Sequence, residues 1–255
     1  MATTMQERTR VMARPRAAYF YVYMAMSCLA VAFLGFAPTY WMPLATGTFR
    51  ANPIVHIHGL VFFSWTVFFV YQSWLAASGR LARHRAVGLI GVSFATAMTI
   101  FGTLVAINMM RTATAAGFDD AGKTFALVPL AGILFFAIVV AFAIANVRRP
   151  EWHKRLLLVA TVSLLEAAVA RWYFVFVLPP GPPGPPPVMA TVLPAAFGGV
   201  LLVIAIVYDW RQRGRPHPAY LIGLGALVAL KLLELPLSTT AAWHAVASGV
   251  LALAG

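Results

Sequence analysis

An all-α integral membrane protein with seven transmembrane helices is the fold this sequence predicts, on three observations. Of its 255 residues, 61% are hydrophobic and only 10% charged, against roughly a quarter charged in a soluble domain. Seven apolar runs reach the ~20 residues that a bilayer crossing needs. The basic residues gather in alternate loops, which is how multi-span proteins mark their cytoplasmic side. One membrane domain, residues 17–239, accounts for the length. It leaves a basic cytoplasmic tail at 1–16 and an outer segment at 240–255.

The tail carries Arg8, Arg10, Arg14 and Arg16. The apolar run behind it is full length and has no small-residue cleavage site, so a membrane helix is expected there, not a cleaved signal peptide. The spans are expected near 17–37, 54–77, 86–109, 125–146, 154–178, 188–208 and 219–239. Pro53 opens the second at a position where proline costs a helix little. Pro150 and Pro218 precede the fifth and seventh. The segment PPGPPGPPP at 179–187 cannot be helical and reads as a stiff, extended connector. The last stretch, Thr240–Gly255 with Trp243 and His244, is too short to cross and reads as a short interfacial helix.

Direction follows from lysine and arginine. The tail, Arg80/Arg83/Arg85, Arg148/Arg149/Lys154/Arg155 and Arg211/Arg213/Arg215 place fourteen of the 19 basic residues on one side. The N-terminus is then inside and the C-terminus outside. The net charge of +12 is a topology signal aided by anionic lipid headgroups at the inner face, and needs no nucleic acid. The single cysteine, Cys28, excludes disulfide frameworks and cysteine metal clusters. Three inner loops share a basic stretch, one histidine and an outward helix: GRLARHRAVGLIG, RRPEWHKRLLLVA and RGRPHPAYLIGLG. One helix plus three helical hairpins would follow, with spans three, five and seven in equivalent places.

Two charged pairs lie inside apolar runs: Glu166 with Arg171, and Lys231 with Glu234. Ionisable groups at that depth mark a functional site or an ion-pair fastening. At 1.5 Å per residue, Glu166 and Lys231 both lie about 18 Å from the inner ends of their helices, with Arg171 and Glu234 about 22–25 Å in. The matched depths suggest cross-helix pairs, Glu166 with Lys231 and Arg171 with Glu234; pairing of Lys231 with Glu234 at i, i+3 is the other option.

The motif HIHGL sets His56 and His58 at the outer end of span two, and Trp65 and Gln72 continue the His58 face at i+7 and i+14. His56 and His58 completed by Glu166 or Glu234 would suit zinc, iron or manganese. A bis-histidine haem lacks a second internal histidine, leaving Met24, Met26 and Met98 as the available second ligands. At the inner ends, His84, His153 and His217 lie at helix N-termini flanked by arginine or lysine. That setting favours an anion or a lipid headgroup over zinc. Ser93, Thr96, Thr99 and Thr103 form a small polar stripe on span three that reads as helix-packing glue. Signatures of membrane hydroxylases (HxxxH), a GxSxG elbow, a P-loop and a Rossmann fingerprint are all missing.

The strings HIHGLVFFSWTVFFVYQSWLAASGRLARHRAVG, HKRLLLVATVSLLEAAVARW and YDWRQRGRPHPAYLIG, with the late TTAAWHAV, resemble a group of bacterial seven-span membrane proteins with no established activity. The resemblance implies the fold and a bacterial inner membrane. Lys231 in the last span also invites comparison with retinal proteins of the heliorhodopsin branch. Span three has no carboxylate counterion, however, and GALVALKLLELP lacks the usual motif.

Three functional readings follow. The first is an outward-facing site for a small molecule, metal or haem, with oxidoreductase or hydrolase chemistry open. There His56 and His58 would be ligands, Glu166 and Glu234 ligands or bases, and Arg171 and Lys231, with Trp65 and Gln72, ligand-holding groups. The second is a proton-coupled transporter or channel. The third is an accessory subunit of a homo-oligomer or larger membrane complex, with the ion pairs as fasteners.

Overall fold

The computed structural model describes residues 14–178, 181 and 183–254, with side chains from residue 19 onward. Most of the expected tail, and Pro179, Pro180 and Pro182 of the proline connector, lie outside the described residues. Arg14, assigned to the tail, already begins the first helix.

Among the described residues there are helices and no strand. In chain order the α-helices of eight residues or more are α1 (Arg14–Gly35), α2 (Pro53–Ala77), α3 (Leu81–Ala115), α4 (Asp119–Ala145), α5 (Pro150–Ser163), α6 (Leu165–Trp172), α7 (Val192–Arg213), α8 (Pro218–Leu237) and α9 (Ala241–Leu253), with a single turn at Met42–Ala45 and a 3₁₀ turn at Val188–Thr191. Six helical spans are long and apolar enough to cross a membrane, and seven if α1 and the bent piece after it count as one. The chain is therefore a multi-pass membrane protein. Its outer faces agree: Leu60, Leu89 and Leu232 are 65–75% exposed, as lipid-facing residues are.

The expected boundaries hold for α2 and shift elsewhere. Helix α3 runs five residues earlier and six later than expected, and α4 begins six earlier. Two spans are interrupted. The first bends by 40° after Gly35, where Ala37–Trp41 forms a π-helical turn around Pro38. The fifth breaks at Leu164 between α5 and α6, then loosens into a π-helical turn at Tyr173–Val177. Such turns recur at functional sites.

The fifth span is the centre of the bundle. Its apolar window is 44% buried, against 17–28% for the other spans. One side packs on Met24, Ala25 and Cys28 of α1, Leu202 and Ala205 of α7 and Tyr220 of α8. The other packs on Trp65 of α2, Met98 of α3 and Phe136 of α4. Lipid tails are as apolar as leucine, so close backbone approach, more than apolar burial, holds such helices together. Gly35 is the clearest case: a Cβ there would lie 2.6 Å from Ala168 Cβ and 2.7 Å from Ala168 O. Only glycine lets α1 touch α6 at that point. Gly198 of α7 faces the backbone of Glu166 less closely, where a Cβ would lie 3.4 Å from Glu166 N, an ordinary contact. The Gly35 contact fixes where α6 presents its charges.

The polar stripe on α3 shows no interhelical hydrogen bond among the described residues. Thr96, Thr99 and Thr103 each donate to the carbonyl four residues back on their own helix, and Ser93 and Thr96 face outward. The short C-terminal helix α9 forms as expected. It is capped by Thr240 and tied to α4 by Trp243 Nε1 donating to Lys123 O at 2.7 Å.

Candidate functional site

The centre lies where α6, α7 and α8 meet. Lys231, on α8, donates to Glu166 Oε1 of α6 at 2.7 Å and to Glu234 Oε2 of its own helix at 2.6 Å. A third bond, of 3.3 Å, goes to Thr191 Oγ1 at the start of the sixth span. The three ammonium protons are thus fully used. Side-chain exposure falls from 21% at Glu166 to 13% at Lys231 and 3% at Glu234. The cross-helix pair expected from matched depth is there. So is the i, i+3 pair that was its competitor, because one lysine serves both carboxylates.

The second expected pair is absent. Among the described residues Arg171 makes no salt bridge, and its guanidinium lies over the Phe36 ring, 5.3 Å from the centroid. The physical reason is the contact of Gly35 with Ala168. Arg171 is three residues beyond Ala168 and shares its face, which looks at α1 and not at α8. Trp172 Nε1 donates to Leu34 O at 2.6 Å and fixes the same crossing. The cluster around Lys231 therefore holds two carboxylates and one ammonium, one negative charge in excess.

The expected metal set does not assemble. No group of three or more histidine, cysteine, aspartate or glutamate side chains capable of holding a metal occurs among the described residues. His56 Nδ1 is hydrogen-bonded to Tyr40 Oη at 3.1 Å. His58 lies against Phe62, centroids 4.0 Å apart with the rings tilted by 35°, and its Nδ1 has no partner. Two residues apart on a regular helix, they look in different directions. Trp65 and Gln72 do continue inward on α2, and both are buried. Trp65 Nε1 donates to Thr161 Oγ1 on α5 at 3.2 Å. Gln72 leaves both amide atoms unpartnered. An apolar groove of about 600 Å³, lined by Phe33, Trp41, Phe63, Phe68 and Phe94 among others, takes in none of the charged residues.

The three inner histidines separate as well. His84 and His153 face one another, ring centroids 6.4 Å apart. His217 instead caps α8, its Nδ1 accepting from Ala219 N at 3.1 Å, and packs against Trp152. It precedes its helix, whereas His84 and His153 are each the fourth residue of theirs. The threefold repeat thus holds for two loops of three, and His217 has contacts unlike those of the other two.

One buried pair was not foreseen. Arg155 holds Asp209 with two bonds, Nε to Oδ2 at 2.8 Å and Nη2 to Oδ1 at 2.6 Å. Asp209 also accepts from His217 N, and Arg155 also reaches Glu151. Burial and then the Arg155 charge hold the His217 imidazole below the ordinary histidine value. The available signal was Asp209 itself, the lone acid in YDWRQRGR. Comparison with known protein families, with curated proteins and with solved structures finds no match to this chain.

Proposed function

We propose that this protein is a proton-coupled carrier of small solutes in the bacterial inner membrane, with Glu166, Lys231 and Glu234 as its proton-exchanging centre. The observation that carries the reading is the sharing of one ammonium by two carboxylates inside membrane-spanning helices. A balanced pair is neutral and finished. Two acids on one base keep an excess negative charge that the low-dielectric interior disfavours, and one proton removes it. Protonation also turns one charge-assisted bond of Lys231 into a weaker neutral one, and shifts the lysine's pairing toward the other acid; of the two bonds, the one to Glu166 links α6 to α8.

The surroundings support transport over fixed binding. Carriers place their coupling sites at discontinuous helices near the middle of the membrane. Here Glu166 sits two residues after the break at Leu164, and α6 rests against the point where the first span bends. The basic loops favour an inward N-terminus by the positive-inside rule. In the retinal reading Lys231 would need to release both carboxylates, and α3 offers no acid in their place.

Infrared difference spectra of reconstituted protein across a pH step test the centre. A protonated-carboxyl band should appear on acidification and vanish in the Glu166→Gln/Glu234→Gln variant. Charge-displacement recordings with a panel of small carboxylates, amines and sugars then test coupling, which should fail in either single variant. Lack of the carboxyl band at any pH, or pH-driven solute currents unchanged in the double variant, would sink the proposal.

A further inference from the structure

His84 and His153 each have one ring nitrogen held by a backbone carbonyl. The Nδ1 of His84 meets Gln72 O at 3.3 Å, and that of His153 meets Ala143 O at 2.9 Å. A carbonyl only accepts, so each Nδ1 carries the proton and each Nε2 keeps its lone pair. Pinning of one ring nitrogen by a carbonyl is how metal-binding histidines are oriented. Neither Nε2 has a partner among the described residues. An ion about 2.1 Å from each Nε2 puts two ring centroids roughly 5–6.5 Å apart, depending on the angle at the metal. The observed 6.4 Å, with ring planes at 83°, lies at the wide end of that interval; a tetrahedral ion draws the two rings about 1 Å closer together.

A second observation points to the same place. Gln72 is 8% exposed, and neither its Oε1 nor its Nε2 has a partner. The bond between Trp65 and Thr161 sets the antiparallel register of α2 and α5. Seven residues toward the arginine-rich end on each helix brings Gln72 level with Lys154, next to His153. Its own backbone carbonyl holds His84. Three helices thus deliver two imidazole lone pairs and an orphaned amide to one level, and a buried amide without partners calls for an occupant.

The neighbouring cations are turned elsewhere. Arg80 lies over Trp74, Arg85 donates to Leu81 O, and Lys154 is paired with Glu151. An anion would meet the lone pairs of both rings, since their N–H protons are already given to carbonyls.

We propose that His84, His153 and Gln72 bind a borderline divalent transition metal such as zinc, copper(II) or nickel(II). The two Nε2 atoms and Gln72 Oε1 are its ligands, and the remaining positions are open to water or an exchangeable ligand. Imidazole donors select such ions over magnesium or calcium. The site is separate from the Lys231 centre and stands without it.

Untagged, detergent-solubilised protein titrated with Co²⁺ should develop d–d absorption that saturates at one equivalent and is displaced by Zn²⁺. His84→Ala and His153→Ala should each weaken binding at least tenfold, while Glu166→Gln leaves it unchanged. Gln72→Leu should weaken binding yet raise the melting temperature of the metal-free protein, because the orphaned amide is gone. X-ray absorption of zinc-loaded wild-type protein should show two imidazoles, a readout that needs no variant to fold. The proposal falls if wild-type protein shows no saturable binding, if binding is indifferent to both histidine variants, or if the absorption fits a number of imidazoles other than two. It falls equally if purified protein carries a haem, with its Soret band, that both histidine variants lose.

Discussion

At the arginine-rich end of the fifth span, Arg155 grips Asp209 with two bonds, and both side chains are at most 3% exposed. Three turns along the same span, Glu166 shares Lys231 with Glu234, and exposure rises to 21%. Both clusters tie this span to the sixth and seventh. The first matches a planar fork to a carboxylate; Asp209 also accepts from His217 N, and Arg155 also donates to Glu151, which has Lys154 and Arg213 as further cations, so no acid there lacks a cation of its own. The second spreads one point charge over two acids. Bidentate arginine suits a fixed joint, because breaking it strands a buried charge. A lysine between two carboxylates suits a joint that changes state, because either acid alone can hold it. Burial of ions is common to both; charge balance separates fastening from exchange.

The largest expected effect lies at the balanced joint. Asp209→Ala leaves the Arg155 guanidinium buried with only Glu151 to answer it, and should cost about 3–5 kcal/mol of stability. Denaturation in mixed micelles measures this. The Arg155→Met/Asp209→Leu double variant should recover most of the loss, since replacing a whole buried pair by apolar groups is close to neutral. A loss below about 1 kcal/mol for Asp209→Ala would erase the distinction between the two clusters.

The Lys231 cluster should respond unevenly. Lys231→Met leaves two carboxylates facing one another and should cost about 2–3 kcal/mol, less than a fully buried break because Glu166 is partly exposed. Glu234→Gln removes the excess charge, keeps a hydrogen-bond acceptor and leaves Glu166 to balance Lys231. Its cost should be under about 1 kcal/mol. Equal losses in the two variants, read in the same micelle assay, would show that all three groups form one rigid lock.

Much of this was legible in the sequence, and the reasons for the rest are specific. Apolar run length gave the spans, since the bilayer thickness sets it. Rise per residue gave the pairing of Glu166 with Lys231, because depth along two helices is one-dimensional. Facing is not. Arg171 has the right depth for Glu234 yet points at Phe36, as the Gly35–Ala168 contact decides, and a glycine at a crossing looks in sequence like any other. The break at Leu164 has no proline or glycine to announce it. Thr191 gave no signal, lying in a short 3₁₀ turn that only packing brings to Lys231. His84 and His153 were visible as residues but not as free lone pairs, because which ring nitrogen meets a carbonyl is a tertiary fact.

The smallest expected effect gives the two clusters opposite responses to acid. His217 caps α8 through an unprotonated Nδ1, and its imidazole is held below the ordinary value, first by burial and then by Arg155 and Arg213. Its unfolded value is about 6.5. The folded form binds its proton less readily, so this contribution is complete above about pH 6.5 and is lost as pH falls from there through the folded value. Acid should therefore weaken the Arg155–Asp209 end, where His217 N also donates to Asp209, while it neutralises the excess charge at Lys231. His217→Asn keeps a cap acceptor that does not titrate. It should match wild type at pH 8 within about 0.5 kcal/mol and flatten the fall in stability between pH 6.5 and 5. His217→Ala should lose about 1 kcal/mol at pH 8 through the missing cap. A slope that persists undiminished in His217→Asn would assign the acid response to another group and leave the balanced joint indifferent to pH.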